Sequence, residues 1–120
     1  MNKVYTEDGI YLEELNDGQV RIGLSAYGSD AVGEVSYFTF LTDDTMEVDQ
    51  AFFSVEGSKA VTDMVAPISG KIVARHEALV EEPEILNAVE EDAKWIVIVE
   101  TQKAVAWEQF LTEDLPIEEA

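Results

Sequence analysis

The feature that most narrows the fold is a pair of alternating runs hinged on Asn16-Asp17-Gly18. Ile10 and Leu12 precede the hinge; Val20, Ile22 and Leu24 follow it. Every second side chain of a strand points to one face, and Asp-Gly supplies the positive φ of a tight hairpin turn. Two antiparallel strands with one apolar face are therefore predicted, and that face needs a second layer to cover it. Further strand signals run through residues 35–41, 52–55 and 61–66. Others begin at Ile72-Val73, after a turn bracketed by Pro67 and Gly70, and at residues 95–99. Many short strands separated by turn residues indicate a mainly β protein, a sandwich or small barrel. A weak internal echo, Gly33-Glu34-Val35 and Gly70-Lys71-Ile72, fits two similar β-layers.

Helix is a minor component. Ser25 is placed to cap a short helix, and Gly33 to close it. A helical turn is expected at residues 84–88 after Pro83, because proline suits a first helical position. Ala104, Trp107, Phe110 and Leu111 fall at helical spacings and predict a packed C-terminal helix. The chain thus divides into one domain, residues 1–112, and an acidic, frayed tail, residues 113–120, that contains Pro116.

At 120 residues, 47% of them apolar, the chain suits one compact domain. Seven Lys and Arg face 26 Asp and Glu, a formal net charge of −19. A phosphate backbone or an anionic membrane surface would be repelled, so neither nucleic acid nor membrane is an expected partner. The same charge discourages self-association and favours a monomer. It fits steering toward basic docking surfaces, and equally fits plain solubility. Cysteine is absent, which excludes disulfides, thiol catalysis and Cys-based zinc sites. No signal core or membrane-length apolar run is present, so a soluble, cytoplasmic protein is expected.

Catalytic and metal signatures are missing. His76, the only histidine, lies just after a strand between Arg75 and Glu77 and reads as a surface loop residue. Carboxylates are too abundant for any pair to be diagnostic of acid–base work. No Gly-rich phosphate loop is present, and Asp43-Asp44, Glu47 and Asp49 lack calcium-loop spacing. No metal site and no active site of its own are expected.

One segment stands apart: Phe52-Phe53-Ser54-Val55-Glu56-Gly57-Ser58-Lys59-Ala60-Val61-Thr62-Asp63. An apolar strand runs into a turn of small residues, a lone lysine stands at the apex, and a second strand leaves at once. Gly57, Ser58 and Ala60 remove steric cover, so a modifying enzyme could enclose the ammonium. Taken alone, Lys59 also fits an ordinary exposed hairpin lysine.

The surroundings decide between these readings. Glu56-Gly57-Ser58-Lys59-Ala60, with Asp63 and then Pro67-Ile68-Ser69-Gly70, resembles the lipoylation region of glycine cleavage H proteins, which commonly read Glu-Ser-x-Lys-Ala before a Pro-x-x-Gly step. Val20-Arg21-Ile22-Gly23-Leu24-Ser25, followed by Tyr27, Ala31, Gly33, Glu34 and Val35, resembles the family's strand, short helix and Gly-acidic-aliphatic segment. Val73, Leu79, Pro83 and Asn87, then Trp95-Ile96, resemble later stretches, and Tyr5-Thr6-Glu7-Asp8 resembles the opening. The resemblance covers most of residues 4–100. It departs at Gly9-Ile10-Tyr11, where the family has His-Glu-Trp, at His76, and at residues 89–95. Such drift also resembles a divergent H-like subgroup associated with sirtuin and macrodomain proteins. Biotin carriers share the hairpin lysine but usually flank it with Met, where Ser58 and Ala60 stand here.

The resemblance implies a flattened barrel or sandwich of two β-sheets, lipoyl-domain-like, with short peripheral helices. It implies a non-catalytic carrier with lipoate attached covalently to Lys59. Glu56 and Asp63 would aid recognition by a lipoate ligase or lipoyl transferase, or be simple solvated carboxylates; Gly57 and Gly70 would serve the turns. It further implies transfer of an aminomethyl group and reducing equivalents among glycine decarboxylase, aminomethyltransferase and dihydrolipoyl dehydrogenase. The alternatives are an H-like carrier in a redox, ADP-ribosylation-linked or lipoate-relay role, and an unmodified acidic binding module.

Overall fold

The Asp17-Gly18 hairpin forms as its alternation dictates. Both residues have positive φ, 60° and 74°, the mirror-image turn whose twist matches that of the flanking strands. In the computed structural model, which describes residues 1–117, nine strands are present: β1 (Lys3–Tyr5), β2 (Ile10–Glu14), β3 (Gln19–Leu24), β4 (Val35–Phe40), β5 (Thr45–Met46), β6 (Ala51–Gly57), β7 (Val61–Val65), β8 (Gly70–Arg75) and β9 (Trp95–Glu100). Two sheets result, one in the order β1-β2-β3-β9-β8-β5 and one in the order β4-β6-β7. Gly33 and Gly70, the two ends of the sequence echo, precede or open strands in different sheets.

Register explains the core. Val4, Leu12, Ile22 and Val97 stand in one cross-strand row of the larger sheet, and all four are buried. The smaller sheet answers with Phe38, Phe53 and Val55, also buried. The Phe38 and Phe53 rings stack at 5.3 Å, and Phe40 meets Phe38 edge-on at 4.8 Å, geometries that aromatic quadrupoles favour. The sheets face each other as a sandwich that does not close into a barrel.

Helix α1 (Ala26–Val32) follows β3 directly. The Ser25 hydroxyl accepts from the Gly28 N–H at its start, and the Gly33 N–H donates to the Ser29 carbonyl at its end. A second helix, α2 (Ala78–Glu81), is a single turn that the sequence did not signal. The turn expected after Pro83 is a 3-10 helix, Pro83–Asn87. His76 is half-buried rather than loose on the surface. Its ring stacks on Trp95 at 4.6 Å, and Nδ1 donates to the Trp95 carbonyl at 2.6 Å.

The expected C-terminal helix is absent. Only Trp107–Gln109 makes a 3-10 turn, and the chain then runs extended to pair Leu111 with Tyr5, each N–H donating to the other's carbonyl at 2.8 and 2.9 Å. Isolated short helices are marginal in water, whereas the open edge of β1 offers backbone partners. Trp107 and Phe110 still pack against the core, together with Val105. Past that point Asp114 is anchored, accepting from the Ser25 hydroxyl at 2.9 Å and the Tyr27 N–H at 3.0 Å. This differs from the frayed tail expected from residue 113, because the carboxylate meets donors at the start of α1. Residues 118–120 of that expected tail lie outside the described residues.

Lys94 is buried at 2% exposure behind α1. Its Nζ donates to the Ser29 hydroxyl at 3.2 Å, which in turn donates to the Leu86 carbonyl at 2.8 Å. No carboxylate lies within ion-pairing distance of it among the described residues, and desolvation lowers its pKa from 10.5. The unfolded chain therefore binds more protons between the depressed folded value and 10.5, and this group makes stability rise with pH across that interval. Lys94→Met is expected to hold or raise stability at neutral pH, by up to about 2 kcal/mol. It should also flatten the alkaline part of the profile of urea midpoint against pH; an unchanged slope relative to wild type would contradict this.

Candidate functional site

Lys59 sits where the sequence placed it, in the tip between β6 and β7, where Ser58 and Lys59 form a two-residue turn closed by Gly57 and Ala60. The Gly57 N–H donates across the tip to the Ala60 carbonyl at 2.9 Å. Neither Ser58 nor Lys59 has positive φ, so the tip is not the turn that a free two-residue hairpin prefers. Contacts to the end of α1 and the loop that follows it account for it. The Ser58 N–H donates to the Glu34 carbonyl and the Lys59 N–H to the Val32 carbonyl, both at 2.9 Å. In return, the Glu34 N–H donates to the Ser58 hydroxyl at 2.9 Å. The tip is clamped by its backbone while its lysine side chain stays 59% exposed.

Glycine makes the clamp possible. Gly33 has φ +85°, and a Cβ there would stand 2.5 Å from Ser58 Oγ and 2.9 Å from Lys59 Cγ. The stem of Lys59 therefore crosses over Gly33 toward α1, where Nζ reaches Asp30 Oδ1 at 3.5 Å. Gly57 lies against the Val32 carbonyl so closely that no Cβ fits. Gly70 has a different place. It opens β8, opposite Met46 and against the Glu100 carbonyl, at the other end of β7 from Lys59.

Behind the clamp stands Asn87. Its Oδ1 accepts from the Val35 N–H at 2.7 Å, and its Nδ2 donates to the Gly33 carbonyl at 2.9 Å. One side chain thus fixes both ends of the loop that grips the tip. Neither Asn87 nor Asp30 was picked out as a site residue from the chain, since their contacts to this loop and tip span 29 to 54 positions. The signal for Asn87 was its place in the Val73, Leu79, Pro83, Asn87 stretch that resembles the family, directly after the apolar Ile85-Leu86. Asn87→Ala is expected to cost about 1–2 kcal/mol, read as a fall in urea midpoint, and to slow any reaction at Lys59 by loosening its support. A midpoint equal to wild type would remove Asn87 from this role.

Charge around the tip is one-sided. Between Arg21 and Lys71 the only basic residue is Lys59. Glu56 and Asp63 are exposed on the strands that flank it, and Glu34 is exposed on the clamping loop. Among the described residues there is no cluster of His, Asp and Glu fit to hold a metal ion, and no helix is long and apolar enough to cross a membrane.

Of the five lysines, only Lys59 stands on a tip between strands. Lys3 pairs with Glu91 in β1, Lys71 lies within β8, Lys94 is buried, and Lys103 lies in the chain after β9. The tip fits a long acyl arm: its amine is accessible, its stem has a clear path over Gly33, and its backbone is held.

The profile described as "Glycine cleavage H-protein" matches residues 3–119. The glycine cleavage system H protein of Vibrio atlanticus is 36% identical over 95 residues, 78% of this chain and 75% of that protein. That of Halalkalibacterium halodurans is 31% identical over 111 residues, 92% and 86% of the two chains. The crystal structure of a glycine cleavage system H protein from Mycobacterium marinum superposes with a TM-score of 0.77 at 26% identity, covering 92% of this chain and 90% of the other. With the two-sheet fold and the clamped lysine tip, these matches place the chain in the glycine cleavage H-protein family.

Proposed function

We propose that Lys59 is the lysine to which lipoate is attached in this chain. As a glycine cleavage H protein, the chain is a lipoyl carrier, with lipoate bound covalently to a lysine. The observation that carries the assignment is the tip itself: an exposed side chain on a turn fixed to Val32 and Glu34 by two backbone hydrogen bonds and one to the Ser58 hydroxyl. When attached, lipoate supplies a dithiolane that exchanges between disulfide and dithiol states and holds a transferred carbon group.

The chain's own residues do the presenting. Lys59 Nζ must shed its proton before it can form the amide, and the amide then ends the ion pair with Asp30. The clamp holds the root of the arm, so that mobility resides in the arm and not in the scaffold. A tethered group reaches each partner's active site at high effective concentration. The partners of the family are glycine decarboxylase, aminomethyltransferase and dihydrolipoyl dehydrogenase, and a carrier subunit of this kind performs no bond chemistry of its own. A monomer suits that traffic, and a cytoplasmic compartment suits a chain without cysteine.

Glu56 is the second-last residue of β6 and Asp63 the third residue of β7, in register with Val61 and Ser54 respectively. We assign them to recognition by a lipoate ligase or lipoyl transferase with a complementary basic surface. No observation on the described residues favours an ADP-ribosylation-linked role with sirtuin and macrodomain partners, a lipoate relay, or an unmodified binding module.

Incubation of the apo protein with lipoate ligase, lipoate and ATP tests this reading. One lipoyl mass should be gained, and Glu56→Gln with Asp63→Asn should raise the KM for the apo protein roughly three- to tenfold with kcat unchanged. No gain in mass while a known carrier is modified alongside would end the reading; an unmoved KM would return the two carboxylates to simple solvation.

A further inference from the structure

The outer face of the β4-β6-β7 sheet carries two exposed apolar side chains in one row. Tyr37 pairs with Glu56 across β4 and β6, and Glu56 pairs with Val61 across β6 and β7. Tyr37 is 49% and Val61 69% exposed. Thr39, Ser54 and Asp63 form the next outward row. Apolar residues exposed singly are ordinary. Here two of them flank one carboxylate on adjacent strands, a row spanning roughly 10 Å at ordinary strand spacing. Val61 is also only two residues from Lys59.

Resting on the assignment of Lys59, we propose that this row, Tyr37-Glu56-Val61 with Asp63 behind it, is the docking surface for the enzyme that acylates Lys59. Geometry selects that occupant. The acylating enzyme must bring its reacting centre to Lys59 Nζ, one side chain's length from the turn, so its surface has to lie against the residues that adjoin the tip. Enzymes that use the loaded arm can receive it from farther away. Charge selects the surface it presents. No strand of this sheet contains a basic residue, and Glu56, Asp63 and Glu34 surround the tip. The complementary surface is an apolar patch for Tyr37 and Val61 with a rim of Lys or Arg.

Steady-state lipoylation of the full-length apo protein by a lipoate ligase tests the proposal, with the apo protein as varied substrate. Val61→Lys places a cation against the basic rim, and Tyr37→Ala removes an aromatic anchor. Each is expected to raise KM about tenfold with kcat within about twofold of wild type. Wild-type KM should itself rise with ionic strength, as a charge-steered encounter requires. Val73→Lys, on the exposed face of β8 in the other sheet at 43% exposure, should leave KM unchanged. All three positions are exposed, so equal thermal midpoints are expected, and Tyr37→Ala stands as the second arm should Val61→Lys fold poorly. If wild type is acylated while Tyr37→Ala and Val61→Lys keep its KM, or if Val73→Lys raises KM as much as they do, the docking surface is refuted and Lys59 as acceptor stands. If wild type gains no lipoyl group, both fall together.

Discussion

Lys59→Arg is expected to abolish carrier function while leaving the fold intact. Arginine keeps the positive charge and can keep the contact with Asp30, so the electrostatics of the tip barely change. The guanidinium stays protonated at any accessible pH and cannot act as the amine nucleophile. Amide formation therefore stops, and with it every downstream transfer. In a reconstituted glycine decarboxylation assay with the three partner enzymes, the lipoylated wild type should support turnover. The variant, treated identically, should fall to the level seen with no carrier. Because the Lys59–Asp30 pair is exposed on both sides, losing or altering it changes stability by less than about 1 kcal/mol. The urea midpoint of the variant should match wild type. Retained turnover would place the acceptor on another lysine.

The second large effect is predicted at Gly57. A side chain there would drive into the Val32 carbonyl and into Val32 Cγ1, 2.5 Å from the position of its Cβ. Valine adds two further methyl groups, and Val32 is itself fully buried, so neither partner can yield. Gly57→Val is expected to cost about 3 kcal/mol or more. Relief would come from lifting the β6-β7 tip off α1, which breaks the bonds from Ser58 and Lys59 to the clamping loop. Lipoylation should then slow about tenfold beyond any loss of folded protein, because the amine is no longer held. Urea unfolding and the ligase rate on the folded fraction measure the two parts. A variant with wild-type stability and rate would mean that the close approach of Gly57 to Val32 is unimportant.

Much of the scaffold was legible because its signals are local. Asp17-Gly18 between alternating runs, Ser25 ahead of α1, and the apolar stretches of β6 and β9 each carry their instruction within a few residues. The tip bearing Lys59 was legible for the same reason. What failed was non-local. Ala104, Trp107, Phe110 and Leu111 have helical spacing, yet Leu111 is drawn to the free edge at Tyr5, more than a hundred positions away. Two-residue β5 and single-turn α2 are too short to leave a periodic trace. The clamp belongs to the same class: Glu34 meets Ser58 only once β4 has paired with β6, and Asn87 meets Gly33 only once the Pro83–Asn87 turn has packed beside β4. Nothing local in the sequence marks Lys94 for burial, and its Nζ finds the Ser29 hydroxyl of α1 only in the folded chain. The site's position was thus written in the chain locally, whereas the reason that its lysine is held still resides in tertiary structure.

The central claim is that a backbone-clamped, side-chain-exposed Lys59 is the amine that accepts lipoate. Peptide-level mass mapping after reaction of the apo protein with lipoate ligase, lipoate and ATP tests it most directly, since it asks which of the five lysines is modified. The account predicts the lipoyl group on the peptide containing Lys59 and none on those containing Lys3, Lys71, Lys94 or Lys103. A lipoyl group on Lys103, the lysine in the chain after β9, with Lys59 unmodified, would contradict it.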